Sequence, residues 1–222
     1  MDVLVTGADG ELGRVVAEAF KSAGHRVVVS GARRDELELV AKELDVDAVV
    51  CDHSDPASLA EARSRFPNHL DTIVNVPAPD LLGDGPRAHS LGDTAAAWQS
   101  AFDRTVLATV LTVQVVGDNL RSGGSIVSVI PTTAETGPDG AVKAALTNWT
   151  SGVSDHFGTR GITINSVACG RASHPGYDGL AGREPQAPEE IARLALFLTT
   201  PAARHITGQT LHVGRGASVV FN

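Results

Sequence analysis

Short apolar, β-branched runs alternate with longer helix-spaced stretches along the whole chain, and that alternation limits the possible folds more than any other feature. "DVLVT", "RVVVS", "DAVVC", "DTIVNV", "GSIVSVI", "GITINSVA" and "GQTLHVG" read as strands. Between them lie "ELGRVVAEAFKSAG", "RDELELVAKEL", "DPASLAEARSRF", "DTAAAWQSAFDRTVLATVLTVQVVGDNL", "GAVKAALTNWTSGVSDHF" and "PEEIARLALFLT", which have helical spacing. The strands lack polar alternation, so both of their faces are covered. A parallel sheet with helices on both sides follows, the doubly wound α/β pattern with about seven strands. Local punctuation agrees. Gly24 closes the first helix, while Asp55 and Pro56 open the third. The irregular stretches are the Gly83 to Gly92 loop and the Ala172 to Pro188 loop.

At 222 residues, one domain over 1–222 is expected, with a core that needs neither disulfide nor metal. A net charge of −8 disfavours nucleic acid and anionic membrane surfaces as partners. Cys51 and Cys169 lie far apart without a CxxC, which reads as free thiols in a reducing compartment. The chain shows no signal-peptide pattern and no spanning run, so a cytoplasmic protein is expected. The eight histidines form no HxH or HxxxH pair with carboxylates, so no metal site is expected. "GSIVSVI" is not a GxSxG elbow, so Ser125 and Ser128 read as strand residues.

The first strand enters the first helix through "TGADGELG". A glycine turn at a helix N-terminus gathers backbone N–H groups and partial positive charge at one spot, which suits a pyrophosphate. Gly7 permits the sharp turn. Gly10 and Gly13 permit close approach of ligand and of helix to sheet. The same pattern also occurs as a tight turn that binds nothing. Asp9, Glu11 and Leu12 share the turn.

These segments together resemble the short-chain dehydrogenase/reductase family over nearly the whole chain. "TGADGELG" resembles the family's TGxxxGxG, with Glu11 where the middle glycine is usual, and it fits TGxxGxxG, the spacing of the extended branch. "CDHSDPASL" resembles the stretch whose aspartate, here Asp52 beside His53, meets the adenine. "TIVNVPAP" resembles the NNAG strand end, with Asn75 kept. "GGSIVSVI" matches the fifth strand and "KAAL" the segment after the active-site lysine. "GITINSVACG" resembles VNxVxPG, ending at Gly170 with Cys169 for proline. The stretch from "PEEIARLALFL" to "LHVGRG" follows the family's C-terminal end.

The resemblance implies a Rossmann-type fold that binds a dinucleotide and moves a hydride between a carbonyl and an alcohol. It also implies assembly as a homodimer or homotetramer. In the family an acidic residue ending the second strand selects NAD. Here Gly31 and Ala32 stand there, followed by Arg33 and Arg34, so NADP(H) is favoured over NAD(H). The alternative is that both arginines are helix-start charges paired with Asp35 or Glu38. The family's tetrad carries over only in part. Lys143 matches the lysine that holds the nicotinamide ribose. Asp139 stands four residues earlier in place of tyrosine. The serine falls near Pro131 and the asparagine near Thr105.

A carboxyl beside an ammonium is a poor proton donor. Aspartate starts near pKa 3.9, and a neighbouring cation lowers it further. An Asp139–Lys143 ion pair is therefore expected, with Lys143 facing either Asp139 or the ribose. The only tyrosine, Tyr177, lies in a loop, and Thr132 and Thr133 offer hydroxyls near the serine position. Trp98 and Trp149, on the two long helices, fit either an interface or the core. Two functions remain open. One is an oxidoreductase with a rearranged proton donor. The other is a catalytically inactive dinucleotide-binding sensor or partner subunit.

Overall fold

The computed structural model describes residues 1–78, 90–130, 136–169 and 187–213. Seven strands form one parallel sheet: β1 (Asp2–Val5), β2 (Arg26–Gly31), β3 (Asp47–Val50), β4 (Leu70–Asn75), β5 (Leu120–Ile130), β6 (Thr163–Cys169) and β7 (Thr210–Val213). Their order is β3-β2-β1-β4-β5-β6-β7, so the direction of winding reverses between β1 and β4. Helices α1 (Glu11–Ser22), α2 (Arg34–Leu44), α3 (Pro56–Ala62), α4 (Leu91–Phe102), α5 (Ala108–Val116), α6 (Gly137–Gly158) and α7 (Ala187–Leu198) fill the connections. A π-helical turn, Asp103–Leu107, joins α4 to α5. The expected doubly wound α/β fold is present.

The strands bury both faces because each alternates between two apolar layers. Val3, Val5, Val27, Val29, Val127 and Val129 join one core with Val16, Phe20 and Ile191 from α1 and α7. Leu4, Val28, Ile73, Ile126 and Ile164 point the other way, to Leu59, Val113 and Phe157 from α3, α5 and α6. On α1 the buried residues Gly13, Val16, Ala17 and Phe20 follow helical spacing. The edges depart from full coverage: Asp47 and Ala48 of β3 are exposed.

Capping follows the sequence closely. Asp55 accepts hydrogen bonds from the Ala57 and Ser58 amides, with Pro56 opening α3. After α1, Gly24 takes φ +82°, while the Gly24 and His25 amides donate back to Lys21 and Phe20. One boundary moves: β5 begins at Leu120, before "GSIVSVI", because Leu120 already pairs with Leu70 ahead of an irregularity in the ladder. Among the described residues no helix is long and apolar enough to cross a membrane.

Candidate dinucleotide site

The winding reversal between β1 and β4 opens a crevice beyond the carboxyl ends of the strands, where ligands bind in open α/β sheets. A partly open cleft lies there. Its walls come from the turn after β1 (Thr6, Gly7, Asp9), the end of β2 (Gly31, Ala32), the β3 turn (Asp52, His53, Ser54), the β4 end (Asn75 to Ala78) and the α4–α5 junction.

The glycine turn is packed to its limit. Gly7 has φ +61°, and a Cβ there would lie 2.4 Å from the Val76 carbonyl oxygen. A Cβ on Gly13 would lie 2.2 Å from the Gly7 carbonyl oxygen. Gly10 caps α1, and its amide donates to Gly7. Glu11 is exposed in the first turn of α1, where its charge favours the positive helix end. Leu12 packs against the core. Thr6, which the sequence reading gave no role, bridges the crevice: its hydroxyl donates to the Val76 carbonyl at 3.1 Å and accepts from the Val76 amide at 3.0 Å.

Asp9 and Arg33 form the most closely tied pair in the cleft. Asp9 Oδ2 accepts from the Arg33 backbone amide at 3.1 Å and from Arg33 Nε at 3.2 Å. A terminal guanidinium nitrogen also donates to the Asp9 carbonyl. The remaining terminal nitrogen donates to Glu36 Oε1 at 3.2 Å, and Arg34 pairs with Glu38 at 3.2 Å. The sequence alternative of local pairing thus holds for Arg34. For Arg33 the partners are Asp9 and Glu36, because the β2 end runs beside the β1 turn.

Asp52 is exposed, and its Oδ1 accepts from the Ser54 amide and hydroxyl. His53 is buried behind the cleft. Its Nε2 lies 2.8 Å from Ser30 Oγ and its Nδ1 lies 2.7 Å from Thr112 Oγ1. Burial pushes its pKa down to about 4, against smaller opposing effects of Asp52 and Asp9. Both ring nitrogens are committed to the fold, so His53 braces the wall between β2 and α5. Asn75 is 3 % exposed, and among the described residues neither its Oδ1 nor its Nδ2 has a partner.

At the other end, Lys143 is half-buried on α6 and Asp139 is exposed in that helix's first turn. Among the described residues no ion pair joins the two, and Lys143 is not without a partner. Asp139 instead sits where a carboxylate favours the helix's positive end, and α6 has no side-chain cap there. Lys143 lies near Cys169 at the end of β6; burial raises the thiol's pKa while the ammonium pulls it the other way. Thr105, near which the asparagine was expected, is buried within the π-helical turn, a helical irregularity common at functional sites. Gly170, Pro131, Thr132, Thr133 and Tyr177 lie outside the described residues.

A family model described as enoyl-(acyl carrier protein) reductase matches residues 7–218. The chain belongs to the short-chain dehydrogenase/reductase family. Membership implies a nicotinamide dinucleotide as cofactor. A Mycobacterium tuberculosis (strain H37Rv) protein, named as an oxidoreductase without a substrate, is 64 % identical over 100 % of both chains. The 3-oxoacyl-acyl-carrier-protein reductase of Rickettsia typhi is 27 % identical over 98 % of this chain and 96 % of that protein. Among solved structures, a short-chain dehydrogenase/reductase from Serratia marcescens is similar, with TM-score 0.75, 26 % identity and 96 % of each chain covered. Of the cofactor positions that the resemblance implies, Gly7, Asp9, Asp52, His53 and Asn75 line the cleft.

Proposed function

We propose that the chain is an NAD(P)(H)-dependent oxidoreductase of a small carbonyl/alcohol pair, with a proton-handling arrangement that departs from the family's tyrosine. The supporting observation is the pair of buried polar side chains with unused hydrogen-bonding capacity on the crevice wall. Among the described residues, Asn75 has both amide atoms open, and Asp9 has Oδ1 open. Buried polar groups without partners are rare because each costs about 1–3 kcal/mol, and a polar ligand in the crevice removes that cost. The glycine cradle adds to the fit, since side chains at Gly7 or Gly13 would fill it.

When bound, the dinucleotide supplies the hydride. The residues of the chain do the rest. The turn amides and the α1 N-terminus receive the pyrophosphate, Asn75 turns its open amide to the bound dinucleotide and Lys143 holds the nicotinamide ribose. The NADP(H) preference expected from Arg33 and Arg34 has less support than the sequence suggested, because each answers a carboxylate of the chain itself. Two buried free thiols, Cys51 and Cys169, suit a cytoplasmic setting.

The exposure of Asp139, apart from Lys143, supports the second reading, a dinucleotide-binding subunit without turnover. One set of measurements separates the two. NADH and NADPH are titrated by fluorescence, and a panel of small ketones and aldehydes is assayed. For an oxidoreductase, Lys143→Ala lowers kcat/KM on the order of 10²-fold, and Asp139→Asn shows whether that carboxyl takes part. Binding with no turnover on any carbonyl establishes the inactive subunit.

A homodimer or homotetramer is proposed from α4. Residues Leu91 to Gln99 are all exposed, although the helix carries Leu91, three alanines and Trp98. Trp98 is 42 % exposed, whereas Trp149 packs against the core. An exposed tryptophan on an apolar helix is a typical interface anchor. Trp98→Arg should weaken self-association by roughly 30-fold or more, read by sedimentation velocity. An unchanged sedimentation coefficient removes α4 from the interface.

A further inference from the structure

We infer that Asp9, held in place by Arg33, reads the 2′ position of the adenosine ribose and that the cleft therefore takes NAD(H) in preference to NADP(H). This rests on the dinucleotide reading above and adds the residue that sets its specificity.

The sequence leaves the end of β2 without a carboxylate. The structure supplies one from the neighbouring turn. A Cβ built on Gly31 would fall 2.3 Å from Asp9 Oδ1 and 2.6 Å from Asp9 Cγ. The Asp9 carboxylate thus occupies the space that a side chain at the β2 end would enter. Glycine at position 31 is what allows it there. A carboxylate enters the wall of the cleft from the β1 turn instead of from β2.

Its two oxygens differ. Oδ2 is taken by the backbone amide and Nε of Arg33. Oδ1 is buried and, among the described residues, has no partner. The Asp9 side chain is 1 % exposed, and the Arg33 side chain is 29 % exposed. Arg33 therefore forms the outer, partly exposed side of the pair and the carboxylate its buried side. An ionised carboxylate oxygen only accepts hydrogen bonds. The group that satisfies Oδ1 must be a donor, and a ribose 2′-hydroxyl is one.

A 2′-phosphate has the opposite character. It brings further acceptor oxygens and negative charge, so Oδ1 stays unsatisfied beside a like charge. Arg33 does not offset this, because it is already shared between Asp9 and Glu36. Arg34 is matched by Glu38. Asp9, Glu36, Glu38, Arg33 and Arg34 together carry one more negative than positive charge, and Asp52 borders the same cleft. The arginines that look like a phosphate clamp in the sequence position a carboxylate in the fold.

The test is a titration of the full chain with NADH and with NADPH, for wild type, Asp9→Asn and Asp9→Ser, each checked by thermal unfolding. Wild type should bind NADH at least about tenfold more tightly than NADPH, the effect of one hydrogen bond to a charged group. Asp9→Asn, nearly isosteric, should reduce that ratio to about threefold or less, mainly through weaker NADH binding. Equal or tighter NADPH binding by wild type overturns the inference while leaving the dinucleotide reading intact. So does an equal loss of both cofactors in a folded Asp9 variant. If wild type binds neither cofactor, the dinucleotide reading falls and the inference with it. The wild-type ratio decides the matter even if both variants fail to fold.

Discussion

Gly13→Ala is expected to destabilise the protein by at least about 3 kcal/mol and to abolish dinucleotide binding. The added Cβ meets the backbone of the turn: the Gly7 carbonyl oxygen at 2.2 Å, the Gly7 carbonyl carbon at 2.6 Å and Ala8 Cα at 2.8 Å. None of these is a flexible side-chain end that can turn away. Either α1 lifts off the turn or the turn opens. The first uncovers Val16, Ala17 and Phe20, all fully buried. The second disperses the amides that would receive the pyrophosphate. For a domain of this size the melting temperature should fall by roughly 6–12 °C. Gly152→Ala is the control. That glycine lies inside α6 with nothing within 4 Å of a built Cβ, so the change should add about 0.5–1 kcal/mol. A Gly13→Ala variant that melts like wild type would mean that α1 does not sit this close to the turn.

The second expectation concerns acid. Between pH 6.5 and about 4 the protein should lose about 3 kcal/mol of stability through His53 alone. In the folded chain burial lowers this imidazole's pKa from 6.5 to about 4. In the unfolded chain it titrates near its ordinary value. Between those two values the unfolded state holds the extra proton, so stability rises with pH. The contribution is complete above pH 6.5 and is lost as pH falls toward 4. Asp52 and Asp9 both favour the charged ring, but burial outweighs them. Thermal unfolding of wild type and His53→Gln across this range isolates the effect, because the carboxylates are common to both proteins. The difference in their pH slopes should amount to about 3 kcal/mol. Parallel curves would show that His53 is not buried as described.

The fold was readable because it depends on local periodicity. Apolar runs of strand length, helix spacing between them, Asp55 with Pro56, and Gly24 each act within a few residues of their own position. The glycine turn was readable for the same reason, since its strand and helix adjoin it in sequence. The site's side chains were less so, because their partners are distant. Arg33 precedes two charged candidates, Asp35 and Glu38, yet it meets Asp9, 24 positions earlier. His53 stands beside Asp52 in a motif associated with adenine, yet its Nδ1 is held by Thr112, 59 positions later. Asp139 and Lys143 have the spacing of a helical pair, but one faces solvent in the first turn while the other is drawn in toward β6. Thr6 carried no signal of its own. A threonine before a glycine gives no sign that its hydroxyl spans two strands.

That threonine constrains how the protein can move. By giving and receiving a hydrogen bond with Val76, it ties the end of β1 to the end of β4 beside the crevice. The floor of the pocket cannot spread like a hinge without breaking both bonds at a buried position. Any closing over a guest must come from the rim, so capture and release should leave the β-scaffold's amide-exchange pattern almost untouched.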